Sequence, residues 1–285
     1  MIIVKLDGGM GNQMFQYAVG KYLSLKLKAK LKLDTDTYLS NKSRHYALDH
    51  LSTEENFSTQ REKKSLHRKE YFRRKLNKIG FSISPYWCTE QEPGYHNYIE
   101  QLTDNVYLEG FWQSEKYFKP IEEIIRKEFV VKEVPAEINK KHLDKIESVN
   151  AVSVHIRRGD YMSDKTTNEV HGVCDISYYD EAINRMTAEV NDPSFFIFSD
   201  DMAWAKAHLS IDDGLVTYVD NNSGADYEDI RLMYSCKHHI IANSSFSWWG
   251  AWLNTYRDKK VIAPKKWFRS VVTNKDIIPD GWLTI

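Results

Sequence analysis

Cysteine is scarce in this sequence of 285 residues, and its three cysteines lie far apart. Cys88, Cys174 and Cys236 form no C-x-x-C pair, which argues against a zinc ribbon or a disulfide framework. The chain also lacks any apolar run of about 18 residues, and no basic segment followed by an apolar stretch opens it. The sequence therefore predicts a cytoplasmic protein with neither a signal peptide nor a membrane span.

The sequence also has no excess of positive or negative charge. Lys and Arg number 39 against 40 Asp and Glu, so the formal net charge is −1, which excludes a broadly basic nucleic-acid-binding protein. Hydrophobic residues make up 42% and charged residues 28%, as in globular proteins. A chain of this length is expected to form about two domains.

Strand-like and helix-like segments alternate in the second half. Apolar runs typical of strands occupy residues 151–156, 195–199, 215–219, 239–242 and 260–263. Segments of helical periodicity lie between them, at 178–190, 202–209, 227–236 and 246–256. This alternation predicts a doubly wound domain, in which helices cover both faces of a parallel sheet.

The first half is less regular. Residues 2–6, 12–27 and 30–33 are typical of a strand–helix–strand unit, followed by a strand at 106–109 and an amphipathic helix at 115–129. A polar stretch at 135–150 separates the halves. We therefore expect an N-terminal α/β domain at residues 1–140 and a C-terminal domain at residues 141–285.

The segment 61–78 departs from the overall charge balance. It holds nine Lys and Arg against two Glu, which leaves 30 basic against 38 acidic residues elsewhere. Leu66, Phe72, Leu76 and Ile79 follow at roughly helical spacing, so the pattern predicts a basic amphipathic helix. Three interpretations stay open: a solvated face beside an acidic neighbour, a surface for anionic lipid or a lipid-linked phosphate, and a nucleic-acid contact.

A glycine-rich turn follows the first predicted strand. Gly8, Gly9 and Gly11 let the backbone approach a ligand closely, and the helix that begins there offers N–H groups to an anion. The spacing is neither a dinucleotide fingerprint nor a Walker loop. Asn12 and Gln13, directly after the glycines, add polar side chains that a tight turn alone does not require.

Charged residues follow the first strand of the second domain. His155, Arg157, Arg158 and Asp160 stand at its carboxyl end, where open α/β sheets bind their ligands. Two adjacent guanidinium groups suit a phosphate, and we expect Asp160 to hold one of them in place. The alternative is a structural Arg–Asp pair.

Two further strand ends carry polar groups. Asp200 and Asp201 are placed to accept hydrogen bonds from a ribose or a base, to bind a metal, or to cap the next helix. Asn243, Ser244 and Ser245 precede a Trp-rich helix, whose start forms a second seat for an anion. Together the strand ends supply what a nucleoside diphosphate needs.

Five segments of the sequence resemble one known family. Residues 8–17, 110–118, 155–161, 199–201 and 243–250 resemble motifs of the bacterial α-1,2-fucosyltransferases of glycosyltransferase family 11. The resemblance extends from Met1 to about Trp267, whereas residues 37–105 match no motif of that family.

The resemblance implies a GT-B-type fold, with two Rossmann-like α/β domains that face each other and contain parallel sheets. The activity it implies is inverting transfer of L-fucose from GDP-β-L-fucose to the 2-hydroxyl of a terminal β-galactoside, in glycan or O-antigen synthesis. Residues 141–285 would bind GDP-fucose and residues 1–140 the acceptor. No metal or other cofactor is expected. A bacterial, cytoplasmic enzyme is implied, with peripheral contact to the inner membrane through 61–78 and no nucleic-acid partner.

The resemblance also suggests roles for single residues. Arg157 would stabilise the charge that grows on the β-phosphate as GDP departs, with Asn12 and Asp160 as further catalytic residues. The residues expected to bind the donor are Gly9, Gly11, Gln13, His155, Arg158, Asp200, Asp201, Asn243, Ser244, Ser245 and Phe246. Two alternatives remain: a GDP-sugar transferase that makes another linkage, and a carbohydrate-binding module with exposed tryptophans.

Overall fold

The computed structural model describes residues 1–40, 44–269 and 276–285. The chain divides into two compact units after Val130, and Asp276 and Ile277 belong to the first of them. Each unit is an α/β structure built on one parallel sheet, as the sequence predicts.

The sheet of the first unit has four strands in the order β2-β1-β4-β3, and all of its pairs are parallel. The helices and strands of this unit are, in chain order, β1 (Ile2–Lys5), α1 (Met10–Lys26), β2 (Leu31–Asp34), α2 (Thr37–Ser40), α3 (Gln60–Asn77), β3 (Trp87–Thr89), β4 (Val106–Glu109) and α4 (Glu122–Glu128). Short 3-10 turns occupy Asn97–Gln101, Glu115–Tyr117 and Lys119–Ile121. The strands and the helix predicted for 2–33 and the strand at 106–109 are confirmed.

One prediction for the first unit is wrong. Residues 115–129 do not form a single helix, because two 3-10 turns precede α4 and only its seven residues are α-helical. Pro120 explains the break, since proline has no N–H to donate and its ring blocks the backbone of the preceding turn.

The predicted basic helix is α3. It begins with a capping box at Thr59, whose hydroxyl accepts from the Glu62 N–H while the Glu62 carboxylate accepts from the Thr59 N–H. Leu66 packs against Ile3 and Tyr107 of the sheet. The remaining apolar residues of the predicted amphipathic face, Phe72, Leu76 and Ile79, are exposed instead of buried.

The sheet of the second unit has six strands in the order β10-β9-β8-β5-β6-β7, again with parallel pairs. Its helices and strands are, in chain order, α5 (Glu137–Ser148), β5 (Asn150–Ile156), α6 (Gly159–Ser163), α7 (Lys165–His171), α8 (Ile176–Glu189), β6 (Pro193–Ser199), α9 (Met202–His208), β7 (Val216–Val219), α10 (Asp226–Ser235), β8 (His238–Ile240), α11 (Ser245–Leu253), β9 (Val261–Ala263) and β10 (Leu283–Thr284). The predicted doubly wound alternation is confirmed.

Helix α5 lies where the sequence suggested a polar connection between domains. It packs against α10, so residues 131–148 belong to the second unit, and the observed division falls earlier than the predicted boundary at 140/141. The central strands β5 and β6 are buried along most of their length. Within the described ranges, no helix is both long enough and apolar enough to cross a membrane.

Candidate active site

Two strand ends of the second unit bring its charged residues together. Strands β5 and β6 pair in parallel, with Ile156 opposite Ser199, so the residues after each strand leave the sheet side by side. Arg157 and Arg158 follow β5, and Asp200 and Asp201 follow β6. The sheet register thus forms a cluster of two guanidinium groups and two carboxylates.

Asp200 holds both arginines through different atoms. Its Oδ2 lies 3.0 Å from Nη1 of Arg157, and its Oδ1 accepts a hydrogen bond of 2.8 Å from the backbone N–H of Arg158. About a quarter of each of the two paired side chains is exposed. Arg157 also lies over the ring of Tyr161, with 5.5 Å between Cζ and the ring centroid. The guanidinium is therefore fixed in position yet reachable from solvent.

Arg158 has one aromatic and one charged neighbour. Its guanidinium stacks on the ring of Trp204, 4.1 Å from the centroid, and its Nε lies 3.5 Å from Oδ2 of Asp201. Asp201 also caps α9, because its Oδ1 accepts from the Trp204 N–H at 3.1 Å. Asp201 therefore caps a helix, which is one of the roles that the sequence left open for these carboxylates, whereas Asp200 pairs with Arg157. Donor contacts by Asp200 and Asp201 stay predictions.

The side chain of Asp160 lies outside the described part of the structure. Among the side chains that the structure describes, the carboxylates that pair with Arg157 and Arg158 are those of Asp200 and Asp201, after β6. A catalytic role for Asp160 stays a prediction.

His155 is a buried, neutral imidazole beside this cluster. Burial and, to a smaller extent, the neighbouring Arg157 cation lower its pKa to about 3, although the Asp200 carboxylate opposes them. Its Nδ1 has no hydrogen-bond partner among the described residues. The ring centroid lies 5.7 Å from that of Phe246. A buried nitrogen without a partner is costly, and a bound ligand would satisfy it.

The third strand end supplies the start of α11. Strand β8 pairs with β5 on the side away from β6, so residues 243–246 leave the same edge of the sheet. Asn243 is buried, and its amide donates to backbone oxygens of His171, Gly172 and Trp267.

The Ser244 hydroxyl caps α11 by accepting from the Phe246 N–H at 3.3 Å. The backbone N–H of Ser244 also donates, to the carbonyl of Ala242. Two of the N–H groups predicted to bind an anion, those of Ser244 and Phe246, therefore already have partners within the unit. Half-buried Ser245 and Phe246 lie at the start of this helix. Donor contacts by residues 243–246 stay predictions.

In the first unit, the glycine turn joins β1 to α1 as predicted. Gly9 precedes the first helical residue without a side-chain cap, and Gly8 has a φ of +77°. Gln13 is fully buried, and its amide donates to the carbonyls of Gly8 and His45 and accepts from the Ala47 N–H. These bonds brace the turn, and a donor contact by Gln13 stays a prediction, as it does for Gly9 and Gly11.

Asn12 connects this turn to a second strand end of the first unit. Its Oδ1 accepts from Nε2 of Gln113, 2.8 Å away. The segment that carries Gln113 is held by Glu90, whose carboxylate accepts from the N–H groups of Phe111 and Trp112. Burial raises the pKa of Glu90, and those two N–H groups oppose the rise.

Several of these contacts were not predicted from the sequence. Gln113 carried a usable signal, because it follows the strand β4 and lies in a segment that resembles the family. Trp204 and Glu90 carried none, since each meets its partner through sheet order and not through local spacing.

The tryptophans of α11 do not form a sugar-stacking surface. Trp248, Trp249 and Trp252 are buried, and the exposed platforms of a carbohydrate-binding module are therefore not found at this helix. Among the described residues, no group of three or more His, Cys, Asp or Glu side chains is arranged to hold a metal ion.

Comparison with known proteins gives consistent results. The family model described as "Glycosyl transferase family 11" matches residues 1–285. An α-1,2-colitosyltransferase of Escherichia coli is 36% identical over 100% of this chain and 99% of its own length. The O-antigen biosynthesis glycosyltransferase WbnK of Escherichia coli is 32% identical over 98% of this chain and 99% of its own length.

Among solved structures, a FUT1 mutant of Arabidopsis thaliana in complex with GDP superposes with a TM-score of 0.52 at 10% identity. The superposed region covers 91% of this chain and 69% of the Arabidopsis chain. This likeness concerns the fold alone. With two α/β units built on parallel sheets, the predicted GT-B-type fold class is confirmed.

Proposed function

The chain belongs to glycosyl transferase family 11, and from this premise we propose that it transfers L-fucose from GDP-β-L-fucose to the 2-hydroxyl of a terminal β-galactoside. That the chain is a glycosyltransferase follows from the family. The fucosyl donor, the α-1,2 linkage and a place in O-antigen synthesis are parts of the proposal. The name of WbnK supports O-antigen synthesis, and the donor and linkage are supported by a Homo sapiens relative named galactoside alpha-(1,2)-fucosyltransferase 1, 29% identical over 59% of this chain and 46% of its own length.

The arrangement around Arg157 carries the proposal. In the reaction, the acceptor hydroxyl releases its proton to the surrounding water and its oxygen forms a bond to the anomeric carbon, while the bond from that carbon to the β-phosphate oxygen breaks. Negative charge grows on the departing phosphate, and the sugar passes through an oxocarbenium-like state. The Arg157 guanidinium, held by Asp200 and partly exposed, supplies a preorganised positive charge for that phosphate.

The neighbours of Arg157 are assigned to the nucleotide. His155 is neutral and has an unpartnered Nδ1, so it suits a hydrogen bond to the guanosine portion of the donor without adding charge. Arg158, stacked on Trp204, fixes the loop after β5. Stabilisation of the leaving phosphate by protein cations removes the need for a metal ion, so the chemistry is proposed to be metal-free.

A donor with another sugar is the second candidate. The colitosyltransferase relative is 36% identical over the full length of both chains, so its sugar is a specific alternative to fucose. Colitose lacks one hydroxyl of fucose. A site that hydrogen-bonds that hydroxyl would reject the deoxy sugar by a large factor, whereas a site that ignores it would accept both.

The test measures lactose-dependent release of GDP from GDP-fucose in the presence of EDTA, for the wild type and for Arg157→Ala. We expect activity in EDTA and a fall in turnover on the order of 10²–10³ in the variant. Arg185→Ala is the matched control, because Arg185 lies at an exposed position of α8 and its ion pair in the described structure is with Glu189 of the same helix.

Each other outcome has a definite meaning. Equal turnover of wild type and Arg157→Ala would remove the arginine from the mechanism. Loss of activity in EDTA that returns with a divalent ion would contradict metal-free chemistry. Transfer from a GDP-colitose donor but not from GDP-fucose would establish the second candidate, and binding of no GDP-sugar would refute both.

A further inference from the structure

One face of α3 is not explained by the proposed function. Residues 61, 64, 68, 72, 75 and 79 follow one another at steps of three and four, so they form a single stripe along the outer side of the helix and just beyond it. We call this the basic stripe; its members are Arg61, Lys64, Arg68, Phe72, Lys75 and Ile79, and all of them are exposed.

The opposite face of α3 is firmly attached to the first unit. Leu66 is fully buried in the sheet cluster, and Lys63 donates to the Asp34 carboxylate at 2.7 Å. Glu70 is buried, and its carboxylate accepts from Arg73, Arg74 and the backbone N–H of Tyr86. The helix is therefore a fixed platform, and its outer face is presented in a set orientation.

Within the part of the chain that the structure describes, no carboxylate neutralises the cations in the first half of the basic stripe. Both acidic residues of the segment are engaged elsewhere, Glu70 on the inner face and Glu62 with Lys32 at 2.7 Å. Arg61, Lys64 and Arg68 take part in no ion pair with any described residue. An acidic neighbour, the first interpretation open from the sequence, does not cover these three cations in the described structure.

Large apolar side chains are exposed at the C-terminal end of the same surface. The exposed fraction is 55% for Phe72, 71% for Ile79 and 58% for Phe81. The Tyr71 and Phe72 rings contact each other edge to face, and the Lys75 ammonium lies 4.4 Å from the centre of the Tyr71 ring. A cluster of this kind beside cations is unusual on a surface that meets only water.

We propose that the basic stripe binds the surface of a bilayer that contains anionic lipids. Cations attract the negative surface, and aromatic and aliphatic side chains at one end enter the boundary between headgroups and acyl chains. A second copy of this chain is a poorer occupant, because a symmetric contact would place like charges against each other. Nucleic acid would use the cations but leave Ile79 and Phe81 without a role.

The experiment is sedimentation of the protein with vesicles of phosphatidylglycerol and phosphatidylcholine in equal parts, and with vesicles of phosphatidylcholine alone. We expect binding only to the anionic vesicles. Each cation near such a surface contributes about a factor of five to partitioning, so Lys64→Glu/Arg68→Glu should lower the partition coefficient by at least roughly 30-fold. Phe72→Ala/Ile79→Ala should lower it several-fold and make the remaining binding more sensitive to salt.

Two matched variants on α5 and beside it serve as controls. Lys140→Glu/Lys141→Glu makes the same change of charge at exposed positions of the second unit, and Val134→Ala/Ile138→Ala removes exposed apolar side chains there. Both should bind vesicles like the wild type. All variants should keep wild-type transfer to a soluble acceptor, since none alters the residues assigned to the reaction.

The proposal is overturned if the wild type binds neither kind of vesicle, or binds both equally. It is also overturned if the charge-reversed variants on α3 (Lys64→Glu/Arg68→Glu) and on α5 (Lys140→Glu/Lys141→Glu) lose vesicle binding to the same extent. Steeply salt-dependent binding to an RNA oligonucleotide, without binding to anionic vesicles, would identify a nucleic-acid surface instead.

Discussion

At Gly8 the chain turns from β1 into α1 with a φ of +77°, and a Cβ added there would lie 2.6 Å from Nδ2 of Asn12. Gly224 has nearly the same φ, +78°, and open space around it. Alanine at either position therefore destabilises the folded protein by about 1 kcal/mol, because an L-residue is strained in the left-handed conformation. Only Gly8→Ala must also displace Asn12 and its bond to Gln113.

We expect Gly224→Ala to lower the free energy of unfolding by about 1 kcal/mol and to leave transfer unchanged. Gly8→Ala should lower stability further and reduce transfer as well. Urea denaturation and the GDP-release assay measure the two effects. Equal stability and equal activity of the two variants would show that the position of Asn12 does not matter.

Asp229 of α10 predicts a pH dependence of stability. Burial raises its pKa to about 7, helped by the charges of Asp226 and Glu228 and opposed by a hydrogen bond from Asn222. The folded protein therefore holds a proton that the unfolded chain releases near pH 4. Stability from this group is complete below that pH and is lost as the pH rises to about 7.

Asp229→Asn keeps an acceptor for Asn222 and removes the titration. The free energy of unfolding of this variant, relative to that of the wild type, should increase as the pH rises from 4 to 8. A difference of one pKa unit corresponds to about 1.4 kcal/mol, so the increase should amount to about a few kcal/mol. Urea denaturation at several pH values measures the gain. Asp213→Asn, at an exposed position, controls for the loss of one negative charge; an equal gain there would contradict the assignment.

Sequence reasoning at the scale of single residues identified the types of group but not all of their partners. It placed Arg157, Arg158 and Asp200 at strand ends, where they are found. It expected Asp160, from the same loop, to hold one of the arginines, and that expectation stays a prediction. It did not find the pairs with Asp200 and Asp201, which follow β6. That pairing depends on which strand lies next to β5, and local sequence does not encode sheet order.

At the scale of elements, α1 approaches the sheet unusually closely. A Cβ at Gly20 would lie 2.3 Å from Cγ2 of Val4 and 2.9 Å from Cδ1 of Leu31. Alanine is the better helix former by about 1 kcal/mol, yet overpacking costs roughly 1–3 kcal/mol.

We therefore expect Gly20→Ala to destabilise the protein although it improves helix propensity. Val4→Ala removes the methyl group that the new Cβ would meet, so the double variant should be more stable than the sum of the two single changes predicts. Denaturation of the four proteins gives this coupling. Additive effects would show that α1 moves away from the sheet at little cost.

The elements that sequence reasoning found are those with a strong local pattern. Strand β6 contains a continuous apolar run and β5 is apolar apart from Asn150, Ser153 and His155, and their buried position on both faces follows from that pattern. Helix α5 resembles a polar connection in sequence because only three of its twelve residues, Ile138, Leu143 and Ile146, are apolar, and Ile138 is exposed. Strand β10 has two residues, which are too few to show the alternation of apolar and polar side chains that identifies a strand.

At the scale of the whole molecule, the residues predicted to bind the donor are distributed over both units. Hydrogen exchange with and without GDP tests this distribution. We expect GDP to slow exchange at residues 155–161, 199–204 and 243–247, with stabilisation of about 2.7 kcal/mol at a hundredfold excess over Kd. The Arg157→Ala variant should show weaker protection at the same GDP concentration.

The glycine turn gives the informative comparison in that experiment. Slower exchange at residues 8–13 would support donor contacts by Gly9, Gly11 and Gln13. Unchanged exchange there, together with protection in the second unit, would make those predicted contacts wrong for the nucleotide and would leave the turn to the acceptor or to structure alone.

Both sheets are composed of parallel pairs throughout the described residues, and this has a consequence for how the protein is made. Parallel neighbours cannot form from a tight hairpin, so each pair must wait for a crossover to close. Strand β5 pairs with β6 but also with β8, which begins only at His238. One edge of β5 therefore stays open on the ribosome for on the order of ten seconds after β5 is synthesised. We expect that interval, and not the finished fold, to be when aggregation is the greatest hazard for this chain.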